Sequence, residues 1–167
     1  MIPVYVTLEF SGLASISKRK SKEITRRAHR VQALYWHRKM VDYHFHASAR
    51  YRYGYRRRTR RYSERKRRMA KRGRVAEGGT RDLVFTGLTR AKMLRPPHVQ
   101  AFPTRAKLTY ATPSCVSMRY KPGRPQMGKE LTAVVPSEVR TLEQVISREV
   151  DRSLREWPVP TKVVKLP

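Results

Sequence analysis

The chain has 167 residues, of which 39% are hydrophobic and 31% charged, and 39 Lys+Arg stand against 12 Asp+Glu for a net charge of +27. One domain fits that length, and the apolar share lies below the 45–50% or so usual for globular proteins. Self-repulsion at this charge opposes compaction, so a polyanionic partner is expected: DNA, RNA, anionic lipid or an acidic protein surface. A single cysteine, Cys115, excludes an internal disulfide and a cysteine-rich zinc site. No stretch reaches the roughly 18 apolar residues of a membrane span. Met1–Phe10 carries no basic region followed by an apolar one, so the expectation is a protein made in the cytoplasm, with no membrane partner.

In chain order, Ile2, Val4, Val6, Leu8 and Phe10 alternate with more polar residues, the period of a half-buried strand that ends at Ser11-Gly12. From about Ser17 to Val41 the period lengthens. Ile24, Ala28, Val31 and Tyr35 predict an amphipathic helix with Lys and Arg on its other faces. His37, His44 and His46 follow near Asp42. A His-x-His pair with a carboxylate is a conceivable metal set, but with no second ligand cluster these read as structural histidines and no metal is expected.

The next segment differs in character. Arg50 to Arg74 holds 14 basic residues in 25 against one acid, Glu64, a local +13 that leaves +14 for the other 142 residues. The basic residues are Arg50, Arg52, Arg56, Arg57, Arg58, Arg60, Arg61, Arg65, Lys66, Arg67, Arg68, Lys71, Arg72 and Arg74, interleaved with Tyr51, Tyr53, Tyr55 and Tyr62. Arginine pairs bidentately with phosphate and tyrosine stacks on bases, so nucleic-acid contact is one reading. Arginine forks also fit carboxylates, so an arm docked on acidic neighbours is a second, and a solvated charge run a third. Helix formers dominate Thr59–Arg72, which predicts a helix closed by Gly73. The whole of 50–76 reads as a basic arm inserted in the domain.

Leu83-Val84-Phe85 leads into a turn at Thr86-Gly87. Alternation in Ala106, Leu108 and Tyr110, and again in Val116, Met118 and Tyr120, predicts two strands joined through Ala111–Ser114. Residues 121–125 form a loop. Pro136-Ser137-Glu138 predicts a helix start with Ser137 as the cap, followed by the stripe Val139, Leu142, Ile146, Val150, Leu154 and Trp157. Pro158 stops that helix, and 158–167 is expected as an extended tail. The sum is one α+β domain spanning 1–167, a small antiparallel sheet packed by two amphipathic helices.

No catalytic constellation emerges, and neither an enzymatic role nor a cofactor is expected. Gly123-Arg124-Pro125-Gln126-Met127-Gly128-Lys129 matches the first seven positions of a phosphate-binding loop. Glu130 then stands where Ser or Thr must hold magnesium, and Pro125 removes an amide donor, so nucleotide binding is not expected. Cys115 reads as a small buried hydrophobe.

Several local patterns together resemble a known group. They are Tyr35-Trp36-His37, Tyr43-His44-Phe45, Ala49-Arg50-Tyr51, Tyr53-Gly54-Tyr55, Leu83 to Leu88 with the basic stretch after it, Tyr110-Ala111, Arg124-Pro125 and the final amphipathic helix. The set is similar to phage virion-morphogenesis proteins of the tail-completion and tail-terminator type. It departs from them in the density of the basic arm and in Thr112–Cys115, where a Glu and a Gly would be looked for. The resemblance implies a structural virion protein of the head–tail junction, or neck. Copies would associate into a ring, expected as a hexamer, that joins the tail tube to the head-side connector proteins around the channel for genomic DNA. The hairpin near Lys107 to Met118 would help to build the ring. The alternative is a ribosomal or other nucleic-acid-binding protein working through the Arg/Tyr segment.

Overall fold

A computed structural model describes residues 18–75, 83, 87–111 and 127–156, together with the backbone of 2–7. Strand β1 (Ile2–Thr7) precedes the long helix α1 (Lys18–Lys39) and a 3-10 turn over Val41–Phe45. Helices α2 (Ala49–Tyr53), α3 (Arg60–Lys71) and α4 (Leu88–Leu94) follow, then strands β2 (His98–Ala101) and β3 (Arg105–Tyr110), and helices α5 (Met127–Leu131) and α6 (Pro136–Arg155). The fold is α+β.

The three strands form one antiparallel sheet in the order β1-β3-β2, which puts β3 at its centre. Ile2 pairs with Tyr110 and Thr7 with Arg105 across one edge of β3, while His98 pairs with Thr109 across the other. Ala106, Leu108 and Tyr110 are each 1% exposed, the alternation expected of a strand with one face in the core. Strand β2 was not anticipated, because four residues with a single Val carry almost no periodicity. A tight link at Phe102–Thr104, with the Phe102 amide donating to the Arg105 carbonyl at 2.8 Å, folds it back on β3.

Helix α1 packs on β2 and β3 with one side and runs antiparallel to α6 along another. Ile24 and Ala28 near its start meet Ile146 and Val150 late in α6. At its other end Ala33, Trp36 and Met40 join Val41, Phe45, Leu108, Tyr110 and Leu142 in the main core. The buried face of α1 differs from the predicted stripe. Val31 and Tyr35 are half-buried, whereas His29, Gln32 and Trp36 are fully buried. Two packing partners widen the face beyond one apolar stripe and draw polar residues inside. Gln32 and the Pro103 carbonyl lie next to the His29 ring there.

Helix α6 begins two residues earlier than expected. Pro136 takes the first helical position and Ser137 lies inside, with Val135 as the flanking residue. The Glu138 carboxylate reaches back to accept from the Val135 amide at 3.4 Å, while Val135 has no side-chain oxygen to cap the first turn as Ser137 was expected to do. Val139, predicted on the apolar stripe, is 39% exposed, and Glu138 faces inward in its place. Residues 88–94, read as a basic stretch, form α4, entered through Gly87 at φ 79°.

The expected strand over Val116–Tyr120, the loop at 121–125, Cys115, Trp157 and the tail at 158–167 lie outside the described residues, as do Val84–Thr86 of the expected turn and Leu8–Gly12 of the first strand. Gly54 ends α2 at φ 63°, a left-handed conformation, and a Cβ there would meet nothing within 4 Å. Gly54→Ala is therefore expected to cost backbone strain alone, about 1 kcal/mol, read as a melting-temperature loss of a few degrees.

Candidate polyanion-binding site and its internal anchors

The basic segment divides in two. In its first part, up to Arg58, four of the side chains are built into the fold. Arg52 donates from Nε and Nη2 to one oxygen of Glu138 at 3.2 and 2.9 Å, and the Tyr53 hydroxyl donates to the same oxygen at 2.7 Å. Arg58 forks onto both oxygens of Glu130, with Nη1 and Nη2 at 3.0 and 2.5 Å. Side-chain exposures of 7% and 9% make this second pair an interior one. Local chemistry explains why the chain turns inward here. Gly54 reverses it after α2, and Tyr53 and Tyr55 then bring two aromatic rings against the core.

His44 is the hub of that aromatic cluster. It is 1% exposed and lies parallel to Tyr53, with ring centroids 4.0 Å apart and planes 9° from each other. Its Nδ1 is 3.1 Å from the Glu130 carbonyl and 2.5 Å from the Tyr55 hydroxyl. A carbonyl only accepts, so the proton of the neutral ring sits on Nδ1. Burial pushes the His44 pKa down to about 4, helped by the Arg52 charge and opposed by the Glu130 carbonyl. Burial likewise raises the Tyr53 and Tyr55 hydroxyls well above the ordinary range, with Glu138 adding to the effect on Tyr53.

A histidine held neutral in the fold and free to protonate when unfolded stabilises fully above its ordinary pKa of about 6.5 and loses that contribution as pH falls towards 4. The loss integrates to about 3 kcal/mol. Burial lowers His29 and His37 in the same direction. The melting temperature is expected to fall between pH 7 and pH 5 before carboxylates begin to titrate, and His44→Gln should flatten that slope. A slope unchanged in the variant would remove His44 as its source.

The remaining histidine–carboxylate contact is peripheral. His46 Nε2 lies 3.3 Å from Asp42, whose other oxygen accepts from Arg90 Nε at 3.0 Å. Partial burial would raise the Asp42 pKa, but hydrogen bonds from Arg90 and His46 win and hold it below the usual carboxylate value. No group of three potential metal ligands occurs among the described residues. Lys129, the lysine of the phosphate-loop-like run, lies within the five-residue α5, and the next side chain, Glu130, is already bound to Arg58.

The second part of the segment is different. Thr59 caps α3, its side chain accepting from the Tyr62 amide at 3.3 Å. Ser63, Lys66, Met69 and Ala70 form the inward side of α3, with Lys66 only 3% exposed. Arg60, Arg61, Arg65, Arg67, Arg68, Lys71, Arg72 and Arg74 are exposed, as are Arg56 and Arg57 before the helix. Tyr51 is 89% exposed, Tyr62 37%, and Arg50 is half-buried. Of the predicted contact residues, then, Arg52, Tyr53, Tyr55 and Arg58 are committed to the chain's own core and carboxylates. Those on α3 remain at the surface except Lys66, which was predicted as a contact but is buried on the inward side of the helix.

The acids complete the picture. Glu149, 6% exposed, is held by Arg27 at 2.8 Å and Arg152 at 2.7 Å, and Glu156 also pairs with both arginines. Glu64 pairs with Arg60 within α3 at 2.8 Å. With Asp42, Glu130 and Glu138, six of the nine described acids are engaged in pairs within the chain. The anchors Glu130, Glu138 and His44 were missed as such by sequence reasoning. Only the position of Glu138 at a helix start hinted at its importance. No helix among the described residues is long and apolar enough to cross a membrane. Comparison with family models, with curated proteins and with solved structures finds no match to the chain.

Proposed function

We propose that this chain is a non-catalytic structural protein of the phage head–tail junction, a tail-completion or tail-terminator subunit that assembles into a ring between tail tube and head-side connector. The observation that carries the reading is where the motif residues behind the resemblance lie. Trp36, Phe45, Ala49, Tyr55 and Tyr110 belong to one core cluster, and His44 and Tyr53 lock that cluster to α5 and α6. Part of the resemblance therefore lies in the framework of the domain.

A second reading, a ribosomal or other nucleic-acid-binding protein, is favoured by the exposed cations of α3. The two part on oligomeric state. Purified in high salt and imaged by negative stain, a neck subunit is expected to give closed rings free of nucleic acid. A monomer that saturates with RNA as salt is lowered would overturn the ring and leave the second reading standing.

A further inference from the structure

Helix α3 has a particular charge geometry. At 100° per residue its exposed basic side chains fall into two rows. Arg60, Arg67 and Lys71 form one, and Arg61, Arg65, Arg68 and Arg72 the other, their centres roughly 110° apart around the axis. Together they cover an arc of about 160°, while Ser63, Lys66, Met69 and Ala70 occupy the inward side. Twelve residues make a rod about 18 Å long. Among the described residues no other helix or strand packs lengthwise against it.

A cationic helix of this kind needs an anionic partner, and a second copy of the chain is poorly suited. Six of the nine described acids are already engaged within the chain, and the exposed face of α6 mixes Glu143 and Asp151 with Arg140, Arg148 and Arg152. Two diverging rows call for two walls of negative charge. A B-form duplex presents them, because its major groove is about 12 Å wide, admits one α-helix and is flanked by a phosphate strand on each side. The A-form groove of double-stranded RNA is deep and narrow and does not admit a helix in this way. A flat acidic surface would engage one row and leave the other in solvent.

We propose that α3 is a double-stranded-DNA contact that enters the major groove with one basic row against each phosphate strand and binds without sequence preference. Arginine and lysine on both rows reach phosphates, the exposed arc carries no amide side chain to read base edges, and its one carboxylate, Glu64 between the rows, is held by Arg60 at 2.8 Å. The inference stands apart from ring formation and does not rest on the neck reading.

The test uses the full chain and a fluorescent 20-base-pair duplex, with anisotropy followed across a salt series. Seven phosphate contacts imply a log–log salt slope near −6, similar for duplexes of unrelated sequence. Two variants of equal charge loss are compared. One carries Arg61→Gln, Arg65→Gln, Arg68→Gln and Arg72→Gln on α3; the other carries Arg19→Gln, Lys22→Gln, Arg26→Gln and Arg30→Gln on the exposed face of α1. Glutamine keeps helix propensity, and equal melting temperatures confirm that both variants fold. The α3 variant is expected to weaken binding on the order of 10²- to 10³-fold and to flatten the slope to about −3, while the α1 variant loses less than about tenfold with its slope kept. Equal losses in the two variants would mean bulk charge and overturn the groove contact. So would double-stranded RNA or polyglutamate competing as well as the duplex. Closed rings that fail to bind DNA sink this inference and leave the neck reading intact, and a DNA-binding monomer does the reverse.

Discussion

Arg58→Ala is expected to destabilise the protein by about 4 kcal/mol, a melting-temperature loss of roughly 12 °C for a chain of this size. The reason is what the substitution leaves behind. Glu130 has a side chain only 9% exposed, and Arg58 donates a hydrogen bond to each of its oxygens. Without that fork a carboxylate is stranded in the interior and must either bind a proton or drag water in. The pair itself contributes far less than its loss costs, because bringing two charges out of water offsets most of their attraction. Arg58→Met combined with Glu130→Leu should therefore return to within about 1–2 kcal/mol of the parent. Denaturant unfolding of the two single variants and the double closes the cycle. Single variants that each cost under about 1 kcal/mol would show that the pair is not structural, and would return Arg58 to the set available to a partner.

Glu138→Ala is the second large effect, at about 3 kcal/mol. One oxygen of this carboxylate accepts from Arg52 and from the Tyr53 hydroxyl, and the other lies near the Val135 amide at the start of α6. The loss is not evenly shared. Arg52 has a side chain 38% exposed and can turn to water, so its part is screened and small. Most of the cost comes from the half-buried tyrosine hydroxyl and from the uncapped helix. Tyr53→Phe and Arg52→Gln are each expected near 1 kcal/mol, and Glu138→Gln between these and the alanine variant, because its carbonyl still accepts. Arg52→Gln has a further consequence. Its partner is internal, so affinity for a DNA duplex should stay close to the parent's, in contrast with the α3 substitutions.

Much of the fold was legible in the sequence wherever a local pattern creates the element. Alternation placed Ala106, Leu108 and Tyr110 on the buried face of β3, and the density of good helix formers placed α3 almost to the residue, with Thr59 just ahead of it. The long helices α1 and α6 followed from their apolar spacing. Their exact faces did not, since a helix packed on two neighbours buries more than one stripe and takes in His29, Gln32 and Glu149. Short elements such as α2, α4 and β2 span too few residues for a period to show.

By itself the sequence determined that the protein is strongly cationic, that its positive charge concentrates in one Arg/Tyr-rich segment, and that strands and helices alternate in an α+β order. What each arginine in that segment does was decided only by the tertiary structure. A guanidinium fork fits a carboxylate as well as a phosphate, so residue type cannot separate a core anchor from a surface contact. The separation comes from carboxylates far along the chain: Glu130 lies 72 residues beyond Arg58, and Glu138 lies 86 beyond Arg52. Folding brings those acids to the first part of the segment. The charges of Arg58 and Glu130 are thereby matched in the low-dielectric interior, while most cations of α3 stay on its exposed face.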